Sequence, residues 1–345
     1  QRAGHRVIAL VGGGTAMIGD PSGKTELRQL MTPGQIETNA SGLKKQLSHF
    51  IDFSSGGALM LNNAEWLMPL NFIEFLRDIG RHFSVNKMLA AESYRMRLKT
   101  GLNFIEFNYM LLQAYDFLHL FREEGCTLQM GGNDQWGNIL AGTDLIRRVE
   151  GGDAEALTFP LLTTAAGAKM GKTEKGAVWL DPQRTSPYEY YQYWINTDDR
   201  DVGRFLALFT FLTMDEVKRL SSLEGSGIRS AKEALARECT AILHGDKAAA
   251  EAMETSRALF SEGGAAAGDA VPTFEFELAR LKEGVPVFVI FNEAGLVRSR
   301  GEARRLVQQG GAYVNGRRVE QFDENVTDGD IEEGAVLLRA GKKKY

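Results

Sequence analysis

The apolar positions of this chain change period along its length. Val7-Ile8-Ala9-Leu10-Val11 is an unbroken apolar run ending on Gly12-Gly13-Gly14. With no polar residue alternating into it, the run predicts a strand buried in a parallel sheet. From about Leu59 to Arg148 the pattern is mainly helical: Phe72, Ile73, Phe75 and Leu76, then Tyr109, Met110, Leu112 and Gln113, recur at three and four residues. Leu128-Gln129-Met130 running into Gly131-Gly132 predicts a second strand. Strand, helical excursion and strand returning to a glycine turn predict an α/β sheet with a helical insertion.

The stretch from Leu157 to Asp181 reads as turn-rich, broken by Ala165-Ala166-Gly167 and by Gly171, and helical patterning resumes from Pro187 to about Phe260. Ser261 to Pro272 (SEGGAAAGDAVP) is small and featureless, which predicts a linker. Val287 to Leu296 and Gly301 to Gln309 then predict two short helices, followed by strand-like pieces from Ala312 to Arg339.

Composition narrows the class. The 345 residues are 43% hydrophobic and 25% charged, with a net charge of −5 and a mean hydropathy of −0.23. A nucleic-acid role must therefore rest on a local basic surface rather than on the whole molecule. Cys126 and Cys239 form no CxxC pair or disulfide framework, which fits a reducing cytosol. No apolar run approaches the roughly 18 residues of a membrane span. The chain starts at Gln1 rather than methionine, so its native start is expected upstream.

Two features carry candidate chemistry. Gly12-Gly13-Gly14-Thr15 follows the first strand, and Gly19-Asp20-Pro21-Ser22-Gly23-Lys24-Thr25 comes soon after. Three residues separate Gly19 from Gly23, where a P-loop needs four, and Met17 stands where a dinucleotide fingerprint needs glycine. A nucleotide site and a purely structural turn both remain open. Farther on, Tyr109, Gln113 and Asp116 stand at i, i+4 and i+7 and share one helix face among apolar neighbours. Such a row spans roughly 10 Å at 1.5 Å per residue. That length suits a small elongated ligand with polar groups at both ends; a solvated stripe would show the same spacing.

The flanking residues resolve the choice by resemblance. Tyr109-Met110-Leu111-Leu112-Gln113-Ala114-Tyr115-Asp116-Phe117, Gly131-Gly132-Asn133-Asp134-Gln135-Trp136-Gly137-Asn138 and Lys169-Met170-Gly171-Lys172-Thr173 resemble bacterial tyrosyl-tRNA synthetases in order and spacing. The last motif is a variant of the KMSKS signature of class I synthetases. The tryptophan-specific relatives lack the Gly-Gly-x-Asp-Gln-Trp run. The likeness extends over the whole chain, including Asn196-Thr197-Asp198-Asp199.

This resemblance implies a Rossmann-like catalytic domain at 1–180, with a dimer-interface insertion at about 59–127 and a lysine loop at 165–175. An α-helical domain at 181–260, a linker at 261–283 and a small α+β RNA-binding domain of the S-four type at 284–345 would follow. Tyr109, Gln113 and Asp20 would hold the α-ammonium of tyrosine, and Asp116 would accept its phenol. Thr15 and Gln135 would lie against the substrate, and Gly132, Asp134 and Gln135 against the adenylate. Trp136 is expected to pack rather than to bind. Lys169, Lys172 and Thr173, with Lys24 and Arg28 from a second loop, would clamp the ATP phosphates. Mg2+ would travel with ATP, and the five histidines show no spacing for a dedicated metal site.

Between Arg298 and Arg318 the chain carries Arg298, Arg300, Arg304, Arg305, Arg317 and Arg318 against one acid, Glu302. The S-four resemblance assigns Arg298, Arg300, Arg304 and Arg305 to tRNA(Tyr), read by shape and backbone. The implied protein is a cytoplasmic homodimeric tyrosine–tRNA ligase using L-tyrosine, ATP and tRNA(Tyr), without membrane or DNA. The family's HIGH-type segment precedes the region matching Gln1 and is absent from this sequence. An RNA-binding or regulatory synthetase-like protein without catalysis is therefore the rival reading.

Overall fold

The computed structural model describes residues 1–18, 32–54, 56–90, 94–95, 98, 101–173, 176–260, 273–332 and 334–341. The chain divides into two compact units, Gln1–Met170 and Gly171–Tyr345.

The first unit begins with strand β1 (Val7–Val11), a short helical turn α1 (Gly13–Ala16) and helix α2 (Pro33–Leu47). Thr32 caps α2 in a capping box with Gln35. The chain returns as β2 (Ala58–Asn62), which pairs parallel to β1 in the register Val7↔Ala58 to Val11↔Asn62. Periodicity had placed Leu59 at the start of the helical stretch. Ala58, Leu59, Met60 and Leu61 are helix-forming residues in a run too short to show a period, and pairing with β1 decides it. Helices α3 (Ala64–Leu67), α4 (Phe72–Asp78) and α5 (Val85–Ala90) follow.

Helix α6 (Phe104–Glu124) is the spine of this unit. Asn103 and Glu106 close a capping box at its start, and Gly125 ends it at φ 64°, a left-handed position where a side chain would be strained. Then come β3 (Leu128–Gly132), helix α7 (Trp136–Val149) and β4 (Glu155–Phe159), with β3 and β4 parallel. The strand β4 runs into the stretch from Leu157 where turns were expected; its alternating burial is visible only once α7 covers one face. On the other face Leu128, Met130, Leu157 and Phe159 are exposed. α6 and α7 pack around Ile79, Ala114, Phe117, Leu118, Ile139, Leu145 and Ile146. A Cβ on Gly142 of α7 would stand 2.9 Å from Phe117 Cδ1, so glycine sets how closely the two helices approach.

The second unit opens with a hairpin, β5 (Lys172–Thr173) against β6 (Gly176–Ala177). Helices α8 (Pro187–Ile195), α9 (Asp199–Phe209), α10 (Met214–Ser221), α11 (Ile228–His244) and α12 (Asp246–Phe260) follow. Ser186 caps α8 with Glu189, and Asp198 caps α9. Trp194, Phe205 and Phe209 meet at ring centroids 5.1–6.1 Å apart, tilted or edge-on. The expected linker at 261–272 lies outside the described residues.

The C-terminal part holds α13 (Leu278–Glu283), β7 (Val285–Pro286), α14 (Val287–Glu293) and α15 (Arg300–Gln308). It continues with β8 (Ala312–Val314), β9 (Arg317–Arg318), β10 (Asn325–Val326) and β11 (Leu338–Ala340). The two helices and the three-stranded sheet β11-β8-β9 match the expected helix, helix, sheet order. Val287, Phe291, Val307, Ala312, Val314, Val319 and Val326 form its core. Asn315 and Gly316 turn β8 into β9 at φ 47° and 77°, as the twist of a two-residue hairpin requires.

Candidate active site

The expected face of α6 is buried where it carries charge. Asp116 is 2% exposed and Tyr109 9%, while Gln113 is half-buried. A carboxylate in that setting must find donors, because an unpaired buried polar group costs about 1–3 kcal/mol. Two arrive from the segment after β2: Asn63 Nδ2 donates to Asp116 Oδ2 at 2.9 Å, and Trp66 Nε1 donates to Oδ1 at 2.7 Å. Burial nevertheless dominates and pushes the Asp116 carboxyl up to about 7, with the two donors pulling it back.

Asn63 also ties in the glycine turn. Its Oδ1 accepts from the Gly14 amide at 2.8 Å, and its Nδ2 reaches Thr15 Oγ1 at 3.1 Å. The preceding Asn62 accepts from the Gly13 amide at 3.1 Å, and a Cβ on Gly13 would fall 2.2 Å from that oxygen. The amides of Gly13 and Gly14 are thus taken by Asn62, which ends β2, and Asn63, which follows it. At these residues the turn is structural rather than a phosphate cradle. Thr15, buried at 5% exposure, shares the Asn63 amide donor with Asp116.

A second cluster hangs from the same helix. Asn138 Nδ2 donates to Gln113 Oε1 at 3.0 Å and to Gln135 Oε1 at 3.3 Å, and Gln135 Nε2 donates to Asp134 Oδ2 at 2.9 Å. Gly132 makes room: a Cβ there would lie 2.4 Å from Asp134 Oδ1. The arrangement offers a buried carboxylate at one end and a chain of amide and carboxylate groups at the other. The first suits an O–H donor inside a ligand, and the second suits a charged or hydroxylated end.

Not every expected residue is brought together. Asp20, Lys24 and Arg28 lie outside the described residues. Lys169 forms an antiparallel bridge with Thr163, and Lys172 and Thr173 are described only as backbone of β5. Gly171, at φ 80°, donates its N–H to the Tyr193 hydroxyl at 3.2 Å, and its carbonyl accepts from Val178 N at 3.0 Å. Trp136 was expected to pack but is 46% exposed on the first turn of α7. Arg298, Arg300, Arg304 and Arg305 are exposed, with the Arg304 guanidinium 4.5 Å over the Phe288 ring and 5.1 Å over Phe322.

Periodicity missed Asn63, Trp66 and Asn138 as partners. The signal for the first was present as two asparagines directly after an apolar run, where buried backbone amides need acceptors.

Comparison with known proteins gives the family. A family model described as tRNA synthetases class I (W and Y) matches residues 1–261, and one described as the tyrosine–tRNA ligase SYY-like C-terminal domain matches residues 265–345. A tyrosine–tRNA ligase of Desulfatibacillum aliphaticivorans is 58% identical over 363 residues, spanning 100% of this chain and 84% of that protein. That of Caldanaerobacter subterraneus is 55% identical over 345 residues with the same coverage. Among solved structures, a C-terminally truncated mitochondrial tyrosyl-tRNA synthetase of Aspergillus nidulans aligns with a TM-score of 0.63 at 30% identity. The alignment covers 74% of this chain and 76% of that one. The chain belongs to the class I tRNA synthetases of the tryptophan and tyrosine group, on its tyrosine–tRNA ligase branch.

Proposed function

We propose that the α6 face and its partners are the tyrosine site of a tyrosine–tRNA ligase, which activates L-tyrosine with ATP and transfers it to tRNA(Tyr). The observation that carries this reading is Asp116, a buried carboxylate held by two N–H donors. A group held in this way has lone pairs left for the substrate's phenolic O–H. Phenylalanine would leave it desolvated and unpaired; tyrosyl-tRNA synthetases are themselves the standard example of such discrimination.

The remaining roles follow from charge. Tyr109 and Gln113, with Asp20, receive the α-ammonium, and Gln135, Asp134 and Gly132 face the carboxylate and ribose side of the adenylate. The tyrosine carboxylate attacks the α-phosphorus of ATP, and negative charge passes to the departing pyrophosphate. No covalent enzyme intermediate is needed, so positioning and electrostatic stabilisation do the work. Lys169, Lys172 and Thr173, with Lys24 and Arg28, neutralise that charge, and Mg2+ arrives with ATP as part of the substrate.

Residues 181–260 act as the helical domain and 284–345 as the RNA-binding domain, where Arg298, Arg300, Arg304 and Arg305 meet tRNA phosphates. A stacked guanidinium such as that of Arg304 keeps its edge donors free for phosphate. The exposed Phe72, Ile73, Phe104 and Ile105 support a homodimer through the insertion, since apolar surface of this kind calls for a partner. No described helix is long and apolar enough to cross a membrane, and we read the enzyme as cytoplasmic. Pyrophosphate exchange with tyrosine, phenylalanine and tryptophan tests the assignment. Exchange driven by tyrosine alone supports it, and exchange driven equally by tryptophan defeats it.

A further inference from the structure

We infer that His119 is a positioning residue for the substrate's phenol, acting through Trp66 on Asp116; this rests on the reading of Asp116 as the phenol's acceptor. His119 follows Asp116 by three residues on α6, so both emerge on the same side of the helix one turn apart. Its imidazole stacks on the Trp66 indole with ring centroids 4.3 Å apart and planes 22° from parallel. The edge of that indole carries the N–H that reaches Asp116 Oδ1 at 2.7 Å. One helix therefore supplies both the carboxylate and the flat surface that aims its donor.

The need for such a surface is local. Trp66 sits on α3, a helix of four residues, and the Asn63 side chain before it makes no cap to α3, being engaged by Gly14, Thr15 and Asp116. So short a helix does little to fix a large side chain by itself. The indole is 8% exposed, and its ring plane is set by what lies against it. His119 is half-buried, and burial lowers its proton affinity more than Glu123 and Glu124 restore it, with Arg122 also lowering it. A neutral imidazole lies flat on an indole without placing a second charge beside the buried carboxyl.

The test compares His119→Ala, His119→Phe and Asp116→Asn in pyrophosphate exchange. The readouts are KM for tyrosine, KM for ATP, and the preference for tyrosine over phenylalanine. Loss of one aromatic contact corresponds to about a three- to tenfold effect. His119→Ala is expected to raise KM for tyrosine by that factor and to erode the preference, with KM for ATP held within about twofold. His119→Phe, which keeps a flat ring under the indole, is expected to restore both. Should the alanine variant not fold, His119→Leu keeps the bulk without the ring and carries the same comparison. A normal KM for tyrosine in His119→Ala, beside a raised one in Asp116→Asn, overturns the inference and leaves the site reading intact. Equal losses for tyrosine and ATP overturn it too, since they mark a general structural role. If Asp116→Asn also leaves KM for tyrosine unchanged, the site reading falls and the inference with it.

Discussion

Asn63 joins two parts of the first unit with one amide: its Nδ2 donates to Asp116 Oδ2 at 2.9 Å while its Oδ1 accepts from Gly14 N at 2.8 Å. The glycine turn after β1 and helix α6 are therefore fastened at a single side chain, 1% exposed.

Replacing it strands a buried amide and removes half of the support of a buried carboxylate. Asn63→Ala is expected to destabilise the protein by about 2–4 kcal/mol, on the scale of one or two buried groups left unpaired. Denaturant unfolding measures this. In a double-mutant cycle with Asp116→Asn, the two losses should fall short of adding, because the residues share one hydrogen bond. Full additivity would deny the coupling.

The buried carboxyl also makes stability depend on pH. Burial raises Asp116 from 3.8 to about 7, so between those values the folded protein keeps a proton that the unfolded chain has released. Its contribution to stability is present in acid and is lost as pH rises through about 7. Asp116→Asn removes that dependence. Its Tm relative to the unsubstituted protein should rise between pH 5 and pH 8, and a gap constant across that range would contradict the burial effect.

The α6–α7 contact holds Gln113 against Asn138, and it depends on Gly142. Gly142→Ala brings a methyl to 2.9 Å from Phe117 Cδ1 and 3.0 Å from its Cβ. The cost of such overpacking is about 1–3 kcal/mol, less the small helix-propensity gain of alanine. A thermal melt lower by several degrees checks it, while an unchanged melt would mean the helices separate freely.

For the lysine loop the split between kinetic constants is diagnostic. Lys172→Ala is expected to lower kcat far more than it raises KM for tyrosine, because the charge it meets develops only as pyrophosphate leaves. Steady-state exchange measures both, and an effect confined to KM would assign Lys172 to ground-state binding.

The sequence carried some of this directly and concealed the rest for definite reasons. The α6 face was legible because Tyr109, Gln113 and Asp116 obey a helical period, and the C-terminal order of helices and strands because its breaks fall on Gly310-Gly311 and Asn315-Gly316. β2 and β4 were not, since Ala58, Leu59, Met60 and Leu61, and Glu155, Ala156 and Leu157, are helix-forming residue types without the β-branched run that marks β1. Asn63 and Trp66 stand 53 and 50 residues before Asp116, and only the folded chain brings them to it. Trp136, expected to pack, stands half open at the start of α7.

Which group of the ligand meets Asp116 decides the assignment of the site. Tyrosine-dependent pyrophosphate exchange by Asp116→Ala, measured beside the unsubstituted enzyme, addresses that directly. Exchange should disappear while ATP still binds; undiminished exchange with tyrosine would show that the phenol is held elsewhere.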